Sequence, residues 1–259
     1  MTEAAFFDLD KTIIAKSSTL AFTKPLFKAG LLNRRTLAKA GIAQAYYQVF
    51  GADHDQLEKV KAELSKLTSG WDQSEVVSLV EETVASIMPP LVFAEALAII
   101  DDHRGKGRRV IVVSSSPEEI VRPLCRYLAI DDVIATRAAI GPDGKYTGEI
   151  ALYAYGPGKA EAMREMAAAE GIDLSASHAY SDSATDIPML ELVGHAVAVN
   201  PDAELKEVAE ERGWEVRRFE SPVSVRDRIS ENKVPGAAVA GGVAALVTYW
   251  ALKGRRSGR

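Results

Sequence analysis

From Leu91 to Val216 amphipathic stretches alternate with short apolar runs, a pattern that a layered α/β architecture buries. A helix is predicted over Leu91 to about Arg104, closing in Gly105-Lys106-Gly107. Arg109 to Val113 then reads as an apolar strand ending in Ser114-Ser115-Ser116-Pro117. A helix over Glu118 to Leu128 and a strand near Asp132 to Ala135 come next. Pro142-Asp143-Gly144-Lys145 reads as a hairpin turn, since Asp-Gly tolerates the positive φ such turns require. A helix from Lys159 to Glu170 leads into a strand at His178 to Asp182. Pro188 to Leu192, Ala196 to Val199 and Trp214 to Val216 complete the units. The expected fold is α/β, with a doubly wound, mostly parallel, Rossmann-like sheet.

The first strand of that sheet is predicted almost at the start of the chain. Ala4 to Phe7, apolar and too short for a helix, reads as a buried strand, and Asp8-Leu9-Asp10-Lys11-Thr12 follows at its C-terminal end. Ligands bind at that end of open α/β sheets, and carboxylates two apart along a strand direction point to one side. Three uses are open for the pair. The two could share a magnesium ion, a hard cation suited to carboxylate and phosphate oxygens. They could act as nucleophile and proton carrier, or form an Asx turn with solvated carboxylates.

After Thr12 no strand is expected until about Arg108. Ser17-Ser18-Thr19 offers helix caps before an apolar stretch from Leu20 to Leu32, broken by Pro25 and Gly30. Arg34 to Phe50 is helix-like, and Leu57, Val60, Leu64 and Leu67 repeat at helical spacing. Val76, Val77, Val80, Val84 and Ile87 do the same before Pro89-Pro90. A helical insert in this place reads as a cap over the end of the first strand, of the kind that sequesters a reacting centre. The division expected is therefore a catalytic core of residues 1–16 and 91–219 with a cap of residues 17–90.

The formal net charge of -5 argues against a dedicated nucleic-acid binder. Cys125 is the one cysteine and falls in an apolar pattern with Ile120, Val121, Leu124 and Leu128, so it reads as core. The opening residues carry neither a basic n-region nor an apolar h-region, so the cytoplasm is the expected compartment. Residues 234–252 contain no charged side chain, and as a helix they would be about 28 Å long, enough to span a hydrocarbon core. Tyr249-Trp250 and the basic residues after it fit a membrane interface. A C-terminal apolar helix behind a linker of residues 220–233 is thus expected to hold the catalytic domain at the inner membrane face, the alternative being a surface-lying or packed helix. Ala237, Gly241 and Ala245 form a small-residue face on which two such helices would give a weak homodimer.

Four stations fall at strand ends or helix starts. They are Asp8, Asp10 and Thr12; Ser114, Ser115 and Ser116; Gly156-Pro157-Gly158-Lys159; and Ser181-Asp182-Ser183-Ala184-Thr185-Asp186. Hydroxyls and free N–H groups at a strand-to-helix junction can hold phosphate oxygens, and one lysine at a helix start is a point charge for phosphate. Singly, each has a plainer reading: a serine helix cap, a solvated lysine, or Asp182 as an N-cap. Their order and placement make a joint coincidence improbable.

With these four motifs in this order, the chain from about Ala4 to Phe219 resembles the haloacid dehalogenase (HAD) superfamily. The branch it resembles is subfamily IB, phosphoserine-phosphatase-like, with a C1-type helical cap between the first and second motifs. The resemblance implies a magnesium-dependent phosphatase in which Asp8 is the nucleophile and forms an aspartyl-phosphate. Asp10 would protonate the leaving alkoxide and later activate water. Thr12, Ser114 and Ser115 would bind the phosphoryl group, and Lys159 would neutralise it together with Asp8. Asp182 would hold Mg2+ with the Asp8 carboxylate and the Asp10 backbone carbonyl, supported by Asp186. The expected substrate is a small phosphorylated metabolite or a lipid phosphate.

Specificity departs from the branch's pattern. Where phosphoserine phosphatases place a glutamate for the substrate amine, nine positions after the nucleophile, this chain has Ser17. Ser-Gly-Gly is here Ser114-Ser115-Ser116, and the usual glycine before the metal aspartate is Ser181. The alternatives are phosphoserine phosphatase proper, or a catalytically silent membrane-anchored binding protein.

Overall fold

The computed structural model describes residues 2–31, 68–88 and 91–220. The strands are β1 (Ala4–Phe7), β2 (Arg109–Pro117), β3 (Asp132–Ile140), β4 (Tyr146–Leu152), β5 (His178–Ser181), β6 (His195–Val199) and β7 (Glu215–Arg217). They form one sheet in the order β4-β3-β2-β1-β5-β6-β7. Every neighbouring pair is parallel except β3 and β4, which form the predicted hairpin with Gly144 at φ 77°. β1 lies at the centre, in register with β2 from Ala4↔Arg109 to Phe7↔Val112 and with β5 from Ala5↔His178 to Phe7↔Tyr180. All four of its residues are buried, as both faces of a central parallel strand must be.

The helices are α1 (Ser18–Lys28), α2 (Gln73–Ile87), α3 (Ala94–Gly105), α4 (Glu118–Tyr127), α5 (Pro157–Glu170), α6 (Ile187–Leu190) and α7 (Ala203–Arg212). On one face of the sheet Phe6, Ile111, Val113, Ala179 and Ala198 pack with Met163 and Ala167 of α5 and with Leu205 and Ala209 of α7. On the other face the Phe7 and Tyr180 rings stack at 4.4 Å, and His103 from α3 meets the Tyr180 hydroxyl at 2.8 Å. Cys125 is a buried core residue.

Two sequence-based boundaries shift for reasons of pairing. β2 continues past the apolar run 109–113, through the serines, to Pro117. A register irregularity against β3 lets the chain stay extended to Pro117, so Ser114 and Ser116 turn inward and Ser115 outward. β3 runs on to Ile140 because β4 pairs with it antiparallel. Residues 187–190 form one short helical turn. β1 itself ends at Phe7, so Asp8 and Asp10 lie beyond it, Asp8 bonded to Lys159 and Asp10 to the Ser18 N–H.

Of the insert 17–90, α1 and α2 are described. Ser17 caps α1 by accepting from the Leu20 N–H, and Asp72 caps α2 by accepting from the Ser74 N–H. Val76, Val80 and Val84 form the buried stripe of α2, which packs on α4. The chain entering α2 is joined to the hairpin by backbone bonds: Gly70 N–H to Tyr146 O at 2.9 Å, Tyr146 N–H to Trp71 O at 3.1 Å, and Gln73 N–H to Gly144 O at 3.1 Å. The helix predicted over Arg34 to Phe50, the repeat from Leu57 to Leu67 and residues 234–252 lie outside the described residues. Among the described residues no helix is long and apolar enough to cross a membrane.

Candidate active site

Asp8 is the first residue past β1, and its N–H still donates to Tyr180 O at 2.9 Å, which fixes the backbone where the sheet ends. The side chain is 6% exposed. Its Oδ1 accepts from Lys159 Nζ at 2.6 Å, and the same ammonium donates to Asp186 Oδ2 at 2.7 Å.

Local backbone brings Lys159 there. Gly156 adopts φ 53°, Pro157 opens α5 with its φ preset, and a Cβ on Gly158 would stand 2.2 Å from the Tyr153 carbonyl oxygen. Only glycine allows the chain to pass that close, and Lys159 then points inward from the first turn. Ser181, at the end of β5, donates from Oγ to Asp186 Oδ2 at 2.6 Å. That hydroxyl fixes Asp186 opposite the lysine, a function the sequence does not disclose, since a serine at a strand end usually reads as a cap.

Asp182 follows β5 and is also buried. Its nearest cation is Lys11, at 3.7 Å and largely exposed. Lys11 has φ 63° in the turn after Asp10, an unusual conformation for a residue with a side chain. The electrostatics are those of a carboxylate cluster short of positive charge. Burial pushes the Asp8 carboxyl up, Lys159 pulls it down, and Asp186, Asp182 and Asp10 add to the rise, to about 8. Burial likewise raises Asp182 to about 6. Burial alone would lower the Lys159 ammonium, but Asp8 and Asp186 outweigh it and hold it above its ordinary value.

Asp10 turns elsewhere. Its Oδ1 accepts from the Ser18 N–H at 2.7 Å and its Oδ2 from Ser116 Oγ at 3.0 Å. Ser114 is buried, with its Oγ accepting from the Ser116 N–H at 3.2 Å, while Ser115 is exposed at the strand tip. Thr12 is fully buried and its Oγ1 has no hydrogen-bond partner among the described residues. The structure thus joins Asp8, Lys159 and Asp186 directly. It ties Asp10 to Ser116, and sets Asp182 within the field of Asp8. The contacts of Asp10 with Ser18 and Ser116 are not legible in sequence, because a backbone N–H eight positions away and a hydroxyl 106 positions away carry no pairing signal.

A family model described as haloacid dehalogenase-like hydrolase matches residues 5–191. A probable phosphatase of Mycobacterium tuberculosis is 54% identical over 256 residues, covering 96% of this chain and 89% of the relative. A phosphoserine phosphatase of the same species is 33% identical, covering 100% of this chain and 82% of the relative. A histidinol-phosphatase of Neisseria meningitidis is 34% identical, covering 85% and 100% respectively. Among solved structures, a protein of unknown function from Bordetella pertussis matches with a TM-score of 0.74 at 25% identity, covering 84% of this chain and 99% of that one. The family model alone takes in all four stations from Asp8 to Asp186, and the chain belongs to the haloacid dehalogenase-like hydrolases.

Proposed function

We propose that this chain, a phosphatase of that family, is a magnesium-dependent phosphomonoesterase working through an aspartyl-phosphate on Asp8. Its substrate in this reading is a small phosphorylated metabolite or a lipid phosphate. The observation that carries the reading is the buried ammonium of Lys159 bridging Asp8 and Asp186 at 2.6 and 2.7 Å. A carboxylate so held is fixed for in-line attack, and phosphoryl transfer depends on positioning and charge cancellation above all.

Asp8 attacks phosphorus, the bond to the ester oxygen breaks, and Asp10 gives its proton to the departing alkoxide. Asp10 then takes a proton from water as the water oxygen attacks the aspartyl-phosphate, which frees Asp8 and inorganic phosphate. Lys159, Ser114 and Ser115 hold the phosphoryl oxygens.

The donor set suits magnesium. Two buried carboxylates, Asp8 and Asp182, are raised to about 8 and about 6 with only lysines to balance them, and a divalent cation is the missing countercharge. Among the described residues no three His, Cys, Asp or Glu side chains gather into a cation cage. Magnesium asks for less, since one or two carboxylates with water and substrate phosphate satisfy it. Asp8, Asp182 and the Asp10 carbonyl would hold it, with Asp186 in support, and it would neutralise the transferring group.

Free L-phosphoserine is expected to be a poor substrate. Ser17 is short and neutral, and its hydroxyl is engaged in capping α1, so it offers no carboxylate to an ammonium. Relatives of nearly equal identity are named for two different phosphate esters, which leaves this choice to the chain's own residues. In the same reading residues 17–90 form the cap and residues 234–252 a membrane anchor, which alkaline washing of full-length protein would fail to release.

Acid-quenching the enzyme during turnover of a phosphate-labelled ester should trap label on Asp8. Unlabelled protein, with full activity in a strong chelator, would overturn the reading.

A further inference from the structure

The serine-rich end of β2 holds a hydroxyl that the chemistry above leaves unused. Ser116 is 5% exposed. Its Oγ lies 3.0 Å from Asp10 Oδ2, 2.8 Å from Ser18 Oγ and 3.1 Å from Thr19 Oγ1. A serine hydroxyl has one hydrogen and two lone pairs, so three contacts use it fully. It donates to Asp10 and accepts from Ser18 and Thr19. The other Asp10 oxygen accepts from the Ser18 backbone N–H at 2.7 Å. Asp10 is therefore gripped at both oxygens, once by the first residue of α1 and once by Ser116, and Ser116 is itself gripped by that same turn of α1.

We propose that Ser116 is a positioning residue for Asp10: it stops the carboxylate rotating and ties its aim to the place where α1 enters the insert. The inference rests on the reading of Asp10 as proton carrier. A proton donor must sit within hydrogen-bond reach of the departing oxygen, and a misplacement of about 1 Å can cost on the order of a hundredfold. Without Ser116 Oγ the Ser18 N–H still holds Oδ1, so Asp10 stays nearby but swings about that single anchor. The deficit falls on esters whose alcohol leaves poorly. 4-Nitrophenolate departs without a proton, whereas an alkoxide needs one.

The experiment uses full-length protein with magnesium and measures alcohol release in a single turnover, which isolates transfer to Asp8 from the later hydrolysis. In Ser116→Ala, release from glycerol 2-phosphate should slow about ten- to a hundredfold, and release from 4-nitrophenyl phosphate less than about threefold. Ser18→Ala keeps the backbone donor but removes one hydroxyl from Ser116, so it should show the same ester-dependent loss more weakly. It decides the matter if Ser116→Ala does not fold. Equal losses on both esters, or no loss on either, would overturn the positioning role. Asp10→Asn on the same pair separates the two levels of the argument. If Asp10→Asn fails to discriminate the esters, the proton-carrier reading falls; if it discriminates and the serine variants do not, only the role of Ser116 falls.

Discussion

Asp8 carries a charge that its own surroundings disfavour, and that conflict makes it useful. Burial and three neighbouring carboxylates push its proton affinity up, against one ammonium at 2.6 Å. Asp8→Asn keeps the shape and removes the charge. Turnover should fall by at least about a thousandfold, the scale on which removal of a nucleophile is felt. Stability without added divalent cation should not fall, and is expected to rise by on the order of 1 kcal/mol, as when a strained active-site group is relieved. Urea unfolding beside a turnover assay checks both, and ordinary multiple turnover in the variant would refute the nucleophile assignment. The placement of Asp8, Asp10, Asp182 and Asp186 after strands and of Lys159 at a helix start is legible in the sequence, while their proposed roles rest on the resemblance of the four motifs. The contacts of Ser18, Ser116 and Ser181 are not legible there, since a hydroxyl serves as cap, turn or partner equally well until its neighbours are known.

Elements inherit their limits from pairing, which explains where the sequence reading was accurate. β1 was placed to the residue because it is buried on both faces and cut off by Asp8. β2 and β3 run longer than their apolar patterns because the serines and the polar end of β3 are kept extended by partners distant in sequence. α5 begins at Pro157, two residues ahead of the helix predicted from Lys159, and the Gly-Pro-Gly-Lys turn makes a prediction. Gly158→Ala forces a methyl against the Tyr153 carbonyl, which must displace the first turn of α5 and Lys159 with it. A stability loss of about 1–3 kcal/mol, typical of overpacking, should accompany a fall in kcat larger than any change in KM.

A second element-level feature lay wholly outside the sequence reading. His103 of α3 and His178 of β5 lie with ring centroids 4.7 Å apart, and His178 stacks on His195 at 4.4 Å. His103 Nδ1 and His178 Nε2 are buried without partners among the described residues. Burial first, then His178 and Arg108, lowers His103 to about 4. Burial, then His195 and Arg108, lowers His178 to about 4. The ordinary value is near 6.5, so between the two the unfolded chain binds more protons than the folded one. The stability these rings contribute is complete above about pH 6.5 and is lost as pH falls towards 4. Denaturation midpoints measured across that window should decline, and His103→Gln should flatten the decline; an unchanged slope would contradict it.

At the scale of the whole molecule, the described ends of the insert are fastened to the core by different means. Hydroxyls tie α1 to the tip of β2, whereas backbone bonds tie residues 70–73, just ahead of α2, to the hairpin. The second fastening has a consequence for solubility. β4 is an outermost strand of the sheet, and a strand in that position is open to pairing with another chain. The bonds of Gly70 and Trp71 to Tyr146 occupy the start of that edge, so the insert shields it. Gly70 sits at φ 83°, which a β-branched side chain tolerates badly. Gly70→Val should therefore loosen that attachment and uncover the edge. Light scattering on the variant should reveal stronger concentration-dependent association than the parent shows, the edge strand having found in a second molecule the partner it lost in its own.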